Sequence, residues 1–117
     1  MDELMVEHVL RAVEAVPAGR VTTYGAIAKL MGGTARQVGS VMRFYGPNVA
    51  WWRVVSASGE VPEHLRQAVR EHWAAEGIAW SGLRHGCRLA EHRVDQTAWV
   101  ARYVDAVRDL PPYRRGR

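Results

Sequence analysis

A mainly α, winged helix-turn-helix-like single domain with a small β element is the fold class this sequence predicts. Three observations predict it. The chain has 117 residues with no internal repeat and no dividing linker, a length suited to one domain. Apolar residues recur at helical spacing along several segments. Two short helical stretches are joined by Gly32-Gly33, and the second opens on the capping pattern Thr34-x-x-Gln37, the outline of a helix-turn-helix. At 48% hydrophobic, the chain can bury a modest core without disulfides or metals.

The elements follow in order. Residues 2–16 read as an amphipathic helix capped by Asp2, with Val6, Val9, Leu10, Val13 and Val16 on one face. Pro17-Ala18-Gly19 turns the chain. Val21-Thr22-Thr23 is a short extended entry to a second helix over about 23–31, and a third helix runs from about 35 to 44. Gly46-Pro47-Asn48 breaks the chain, Ala50 to Val55 is β-prone, and Ser56-Ala57-Ser58-Gly59 is a turn. Pro62 suits the first turn of a fourth helix, whose inner face is Leu65, Ala68, Val69, His72 and Trp73 and whose stop is Gly77. Residues 78–90 resemble a small hairpin or wing. Asp95 caps a last helix over 95–109, with Trp99, Val100, Tyr103, Val104 and Val107 along one face, and Pro111-Pro112 ends it. Residues 111–117, with Arg114-Arg115-Gly116-Arg117, are expected to be a disordered basic tail, leaving 1–110 as the domain.

Composition narrows the function classes. No apolar run approaches the ~20 residues of a membrane helix. The start, Met1-Asp2-Glu3-Leu4, has no signal-peptide character, and the single cysteine, Cys87, has no internal partner. The expected address is the cytoplasm, with no membrane contact. A net charge of +4 and a pI of about 9.8 favour a polyanionic partner. The sixteen basic residues include one lysine, Lys29. Arginine suits phosphate forks and base stacking, although a GC-rich genome favours the same codons. His85, Cys87 and His92 match no zinc spacing, so no metal and no other cofactor is expected.

Three segments carry a resemblance: Thr22-Thr23-Tyr24-Gly25, then Thr34-Ala35-Arg36-Gln37-Val38-Gly39-Ser40-Val41-Met42-Arg43, then Ala50-Trp51-Trp52-Arg53-Val54-Val55. Together they resemble the DNA-binding domain of the O6-alkylguanine-DNA alkyltransferases, over about residues 4–80 and most closely over 20–59. In that family Pro-Cys-His precedes Arg-Val-Val, and the Cys takes the alkyl group from the damaged base. Read back from Arg53, the Cys position is Trp51, the His position Trp52 and the Pro position Ala50. An indole is no nucleophile for an alkyl carbon, whereas a thiolate is. A damage-binding frame without its acceptor atom is the pattern of the alkyltransferase-like proteins.

The resemblance implies roles for named residues. Arg36 would enter the duplex from the minor groove and fill the gap left by a rotated nucleotide; the plainer reading is a surface arginine on a phosphate. Tyr24 would press on the phosphate beside the target nucleotide and help rotate it, a step costing a few kcal/mol; the plainer reading is a packing tyrosine. Thr34, Ala35, Gly39 and Ser40 would keep one helix face low against the sugar-phosphate backbone, with Arg43 beside them, or else let the helix pack closely on its neighbour. Trp51, Trp52, Arg53, Val54, Val55 and Ser58 would line the pocket for the extruded base. If 50–55 is a strand, Trp51 and Trp52 face opposite ways and at least one is core.

The chain departs from the enzymes in other ways. The loop between Arg43 and Trp51 is shorter, and a Tyr-Ser-Gly-Gly stretch gives way to Val61-Pro62-Glu63-His64-Leu65. Even the alkyltransferase-like proteins usually keep His where Trp52 stands. The expectation is a monomer that recognises O6-alkylguanine in double-stranded DNA without dealkylating it, and that flags or shields the lesion for nucleotide excision repair proteins. The alternative is a winged helix-turn-helix transcription regulator. Its third helix, with Gln37 alone among amide side chains, is poor in base-reading groups. A third reading, an alkyltransferase using another residue, is disfavoured by Trp51.

Overall fold

The structure, a computed structural model, describes residues 2–113. Helix α1 (Glu3–Glu14) is capped by Asp2, whose carboxylate accepts from the backbone N–H groups of Leu4 and Met5. Strand β1 (Thr22–Thr23) leads into α2 (Tyr24–Met31), which Thr23 caps and Gly32 ends in the left-handed region at φ 85°. Helix α3 (Ala35–Tyr45) opens on a complete capping box: the Thr34 hydroxyl accepts from Gln37 N, and the Gln37 side chain accepts from Thr34 N. Strand β2 (Val54–Val55) pairs in parallel with β1, Thr22 opposite Val54 and Thr23 opposite Val55. Then come α4 (Arg66–Glu76), the short α5 (Leu89–His92) and α6 (Gln96–Ala106). The fold class agrees with expectation: mainly helical, with a helix-turn-helix at α2–α3 and a two-stranded β element.

Two apolar clusters meet at the strand pair. The first joins the inner faces of α1, α2 and α3 to Val54 and to Trp99 and Tyr103 of α6. The second gathers Val21, Val55, Val61, Val69, Trp73, Ile78 and Cys87. Successive strand residues point oppositely, so Val54 enters the first cluster and Val55 the second. Helix α6, which lies beyond the resembled segment, seals α1: Trp99 is fully buried and its indole N–H donates to the Ala12 carbonyl at 2.8 Å.

Four expectations change. The stretch 50–55 is not a six-residue strand. Trp51–Arg53 is a 3₁₀ turn, with Arg53 N donating to Ala50 O at 3.1 Å, and only Val54–Val55 is extended. The opposite-face argument for Trp51 and Trp52 therefore fails, and both rings are half-buried against the second cluster. Residues 78–90 form no hairpin ladder. Gly86 closes a single antiparallel bridge to Ser81 within the segment and another to Glu60, and Cys87 N donates to Gly59 O, so the segment is tied to the 56–61 turn as well as to itself. A Cβ on Gly86 would lie 1.9 Å from Gly59 O, so this approach of backbone on backbone requires glycine. Pro62 stands before a 3₁₀ turn, Glu63–Leu65, and α4 begins only at Arg66. On α6, Trp99 and Tyr103 are buried but Val104 is exposed. Residues 114–117 of the expected tail lie outside the described residues.

Candidate nucleic-acid interface and base pocket

A cavity of about 600 Å³ opens where the helix-turn-helix meets the second cluster. Tyr24 of α2 and Gly39, Met42 and Arg43 of α3 form one side. Gly46 and Pro47, Trp51 and Val54 form the back, and Val61, Pro62, His64, Leu65 and Val69 the far side. The lining is mostly apolar, with Tyr24, Arg43 and His64 as polar groups. Such a space is of the size that takes a small organic ligand or an extruded base.

Of the residues expected in the pocket, Tyr24, Trp51 and Val54 line it. Trp52, Arg53, Val55 and Ser58 do not. Trp52 lies flat on His72, centroids 3.6 Å apart and planes 3° from parallel, and its indole N–H donates to Glu76 Oε2 at 2.7 Å. Arg53 forks onto Glu76, Nη2 to Oε2 at 2.7 Å and Nε to Oε1 at 3.0 Å, while Nη1 donates to the Val16 carbonyl. Val55 is buried in the second cluster, and Ser58 lies on the exposed turn. Trp52, Arg53 and Val55 are held by partners elsewhere.

Trp51 is positioned by the 3₁₀ turn and braced edge-on by Trp52 and His72, both with centroids at 5.9 Å. Tyr24 opens α2, packs against the first cluster and also reaches the cavity. Burial raises its phenol above the ordinary value, so the O–H stays neutral and able to donate to an anion.

The residues expected on the DNA face divide by role. Ala35, Arg36 and Arg43 are exposed, and Gly39 and Ser40 half-buried. The Thr34 hydroxyl is committed to the helix cap. Arg36 lies in the first turn of α3, where unpaired backbone N–H groups and the dipole favour a phosphate. At Gly39 a Cβ would meet nothing within 4 Å. The expectation that a small residue there serves close packing on α2 therefore fails at this position: nothing among the described residues requires the glycine. Gln37, the one amide on α3, is engaged by Thr34 and by Tyr113.

Sequence reasoning missed the far wall, Val61 to Leu65, because the resembled family carries different residues there. It also missed Glu76 as the anchor of Trp52 and Arg53. A carboxylate in the last turn of a helix opposes the helix dipole, and that misplaced charge is the signal that it has partners elsewhere. The sole cysteine, Cys87, is fully buried, lines no part of the cavity, and has a thiol that burial pushes up to about 11. Among the described residues no cluster of His, Cys, Asp or Glu could hold a metal.

Comparison with known proteins bears on this arrangement. A family model described as 6-O-methylguanine DNA methyltransferase, DNA binding domain, matches residues 5–78. The chain is 42% identical over 84 residues to a DNA base-flipping protein of Escherichia coli K12, covering 65% of this chain and 64% of that one. It is 42% identical over 65 residues to alkyltransferase-like protein 1 of Schizosaccharomyces pombe, covering 52% of this chain and 59% of that one. It thus spans less than two thirds of either relative. The fold is similar to the crystal structure of S. pombe Atl1 in complex with damaged DNA containing O6-carboxymethylguanine, with a TM-score of 0.69 at 31% identity. That match covers 81% of this chain and 97% of the other.

Proposed function

Because the chain belongs to the alkyltransferase-like proteins, built on the DNA-binding domain of the 6-O-methylguanine DNA methyltransferases, we propose that it recognises O6-alkylguanine in double-stranded DNA and leaves the alkyl group in place. The exposed face of α3 meets the duplex from the minor groove, Arg36 occupies the vacated stack, and the extruded base enters the cavity beside Tyr24 and Trp51. The observation that carries this reading is the mostly apolar cavity of about 600 Å³ flanked by α3, with an indole on its wall where a nucleophile would be required for repair. An O6-alkyl group removes the N1 proton of guanine and weakens its pairing, which lowers the cost of extrusion.

Alkyl transfer has no acceptor here. Position 51 is Trp, position 52 has no basic nitrogen, and the Cys87 thiol is buried outside the cavity. The regulator reading lacks support because Gln37 is already occupied in the helix cap. Duplexes with guanine and with O6-methylguanine, compared at one stated salt concentration, should differ in affinity in favour of the lesion. Radiolabelled methylated DNA should leave the protein unlabelled. Equal affinity for the two duplexes, or stoichiometric label on any residue, overturns the reading.

Held and not repaired, the extruded lesion becomes a flag for nucleotide excision repair, with the chain acting as a monomer. Adding the protein should raise incision of a lesion-bearing duplex by purified excision-repair proteins. Reduced incision would identify a shield instead, and unchanged incision would remove the link.

A further inference from the structure

We propose that Phe44 is an apolar contact of the DNA interface, set against the deoxyribose edge of the strand that does not carry the extruded nucleotide. The inference rests on the DNA-binding reading above and adds a residue to the interface that the resemblance leaves out.

Phe44 lies in the last turn of α3 and keeps 68% of its exposure. It belongs to neither apolar cluster. A lone exposed apolar side chain is ordinary on a protein surface, so its place on the helix decides. At about 100° per residue, Arg43 comes round to within about 20° of Arg36, and the two exposed arginines form one line along α3. The buried Val38 and Val41 point roughly opposite that line. Gly39 and Met42, which line the cavity, lie on one side of it. Ser40 and Phe44 lie on the other side, with Phe44 about 80° round from Arg36 and about 12 Å further along the axis. The phenyl ring therefore occupies the flank of α3 that faces away from the cavity.

A helix lying in a groove has one strand at each flank. The strand whose nucleotide enters the cavity passes on the cavity flank, so the flank of Ser40 and Phe44 is left to the other strand. Helix α3 carries two arginines and no acid, so the surface around the ring selects a polyanion. A second copy of the chain would bring like charges together on this face, which is unfavourable. Minor-groove proteins use apolar side chains such as Phe against the duplex, and a sugar edge offers the ring an apolar surface between charged phosphates. Such a contact reads neither base nor lesion and releases no counterion, so it should strengthen binding to damaged and undamaged duplex alike.

The test measures affinity against salt for guanine and O6-methylguanine duplexes, with the wild type, Phe44→Ala and Phe44→Leu. An exposed ring stabilises the fold little, so the melting temperature should hold in both variants. Phe44→Ala should weaken binding to both duplexes about three- to tenfold, with the slope of log K against log salt unchanged. Phe44→Leu should restore most of the loss. Unchanged affinity in Phe44→Ala overturns the contact. A loss confined to the lesion duplex would put Phe44 with the extruded base and overturns its assignment to the other strand. A shallower slope would trace the loss to the arginines, and a wild type that dimerises where Phe44→Ala is monomeric would make a second copy the occupant; either result overturns the proposal. The undamaged duplex tests the contact even if lesion preference fails. A lesion preference that Phe44→Ala leaves untouched, with no loss of affinity, removes the contact and leaves the function standing.

Discussion

Trp51 stands on the cavity wall, and two aromatic neighbours brace it edge-on. Its exposed side is available to stack on a base or pack against an alkyl group. Stacking of this kind contributes on the order of 1–3 kcal/mol per base. Trp51→Ala should therefore lower affinity for the O6-alkylguanine duplex roughly ten- to hundredfold, while affinity for undamaged duplex, which rarely fills the cavity, stays nearly constant. A melting curve must accompany the measurement, because removing a packed Trp can cost about 3–5 kcal/mol of stability. A folded variant with undiminished lesion preference would make Trp51 a packing residue. Arg36 is exposed on the first turn of α3. Arg36→Ala should weaken binding to both duplexes and the lesion duplex more, since only an extruded base leaves a gap to fill. If a fluorescent reporter of base extrusion responds equally in the variant, Arg36 is a phosphate contact alone.

At the scale of the element, α3 combines a strongly specified start with an open middle. The reciprocal Thr34–Gln37 hydrogen bonds fix where the helix begins and hence where Arg36 projects. Seven residues from Arg36, Arg43 reaches the cavity mouth, and Gly39 lies between them. A helix-interior glycine costs roughly 0.5–1 kcal/mol relative to alanine, and none of the described residues fills the space above this one. The sacrifice makes sense if the DNA backbone approaches there. Gly39→Ala should raise stability by up to about 1 kcal/mol and at the same time weaken binding to both duplexes. Unimpaired binding by the more stable variant would show that the duplex never comes close to α3 at Gly39.

Across the whole molecule, the Arg53–Glu76 pair joins the two apolar clusters. Arg53 reaches the Val16 carbonyl on the first, and Glu76 accepts from Gly19 N, Trp52 Nε1 and Arg53 around the second. The side chains keep 17% and 12% of their exposure. Burial alone would raise the Glu76 carboxyl, but the hydrogen bonds from Arg53, Gly19 and Trp52 and the Arg53 charge outweigh it and hold the group below its ordinary value. Glu76→Gln leaves Arg53 without its countercharge and should destabilise the fold by about 3 kcal/mol, read as a melting temperature lower by about 10 °C. A carboxyl depressed on folding stabilises above its unfolded value, here 4.5, and that contribution drains as pH falls below it toward the folded value. The gap between wild type and variant should thus narrow as pH falls below the unfolded value of 4.5. A constant gap would assign the loss to packing rather than charge. Because the pair also steadies the turn that carries Trp51, lesion affinity should fall in the same variant.

Local signals were enough for much of this molecule. The Asp2, Thr34 and Asp95 caps, the Gly32 and Gly77 stops and the helical apolar periodicity depend on residues within a turn or two of one another, and the helices stand close to where those signals put them. The family was legible for a related reason: Tyr24, Arg36 and the Arg53-Val54-Val55 stretch lie in short contiguous segments whose order along the chain is itself distinctive. Tertiary contact decided the rest. The β-prone stretch from Ala50 to Val55 turned instead of extending, because Trp52 and Arg53 gain more from Glu76 and His72, on a helix far along the chain, than from a longer ladder. That choice set which indole faces the cavity. The far wall from Val61 to Leu65 and the return of Tyr113 onto Gln37 likewise depend on partners distant in sequence, and no periodicity within a segment encodes where a separate segment comes to rest.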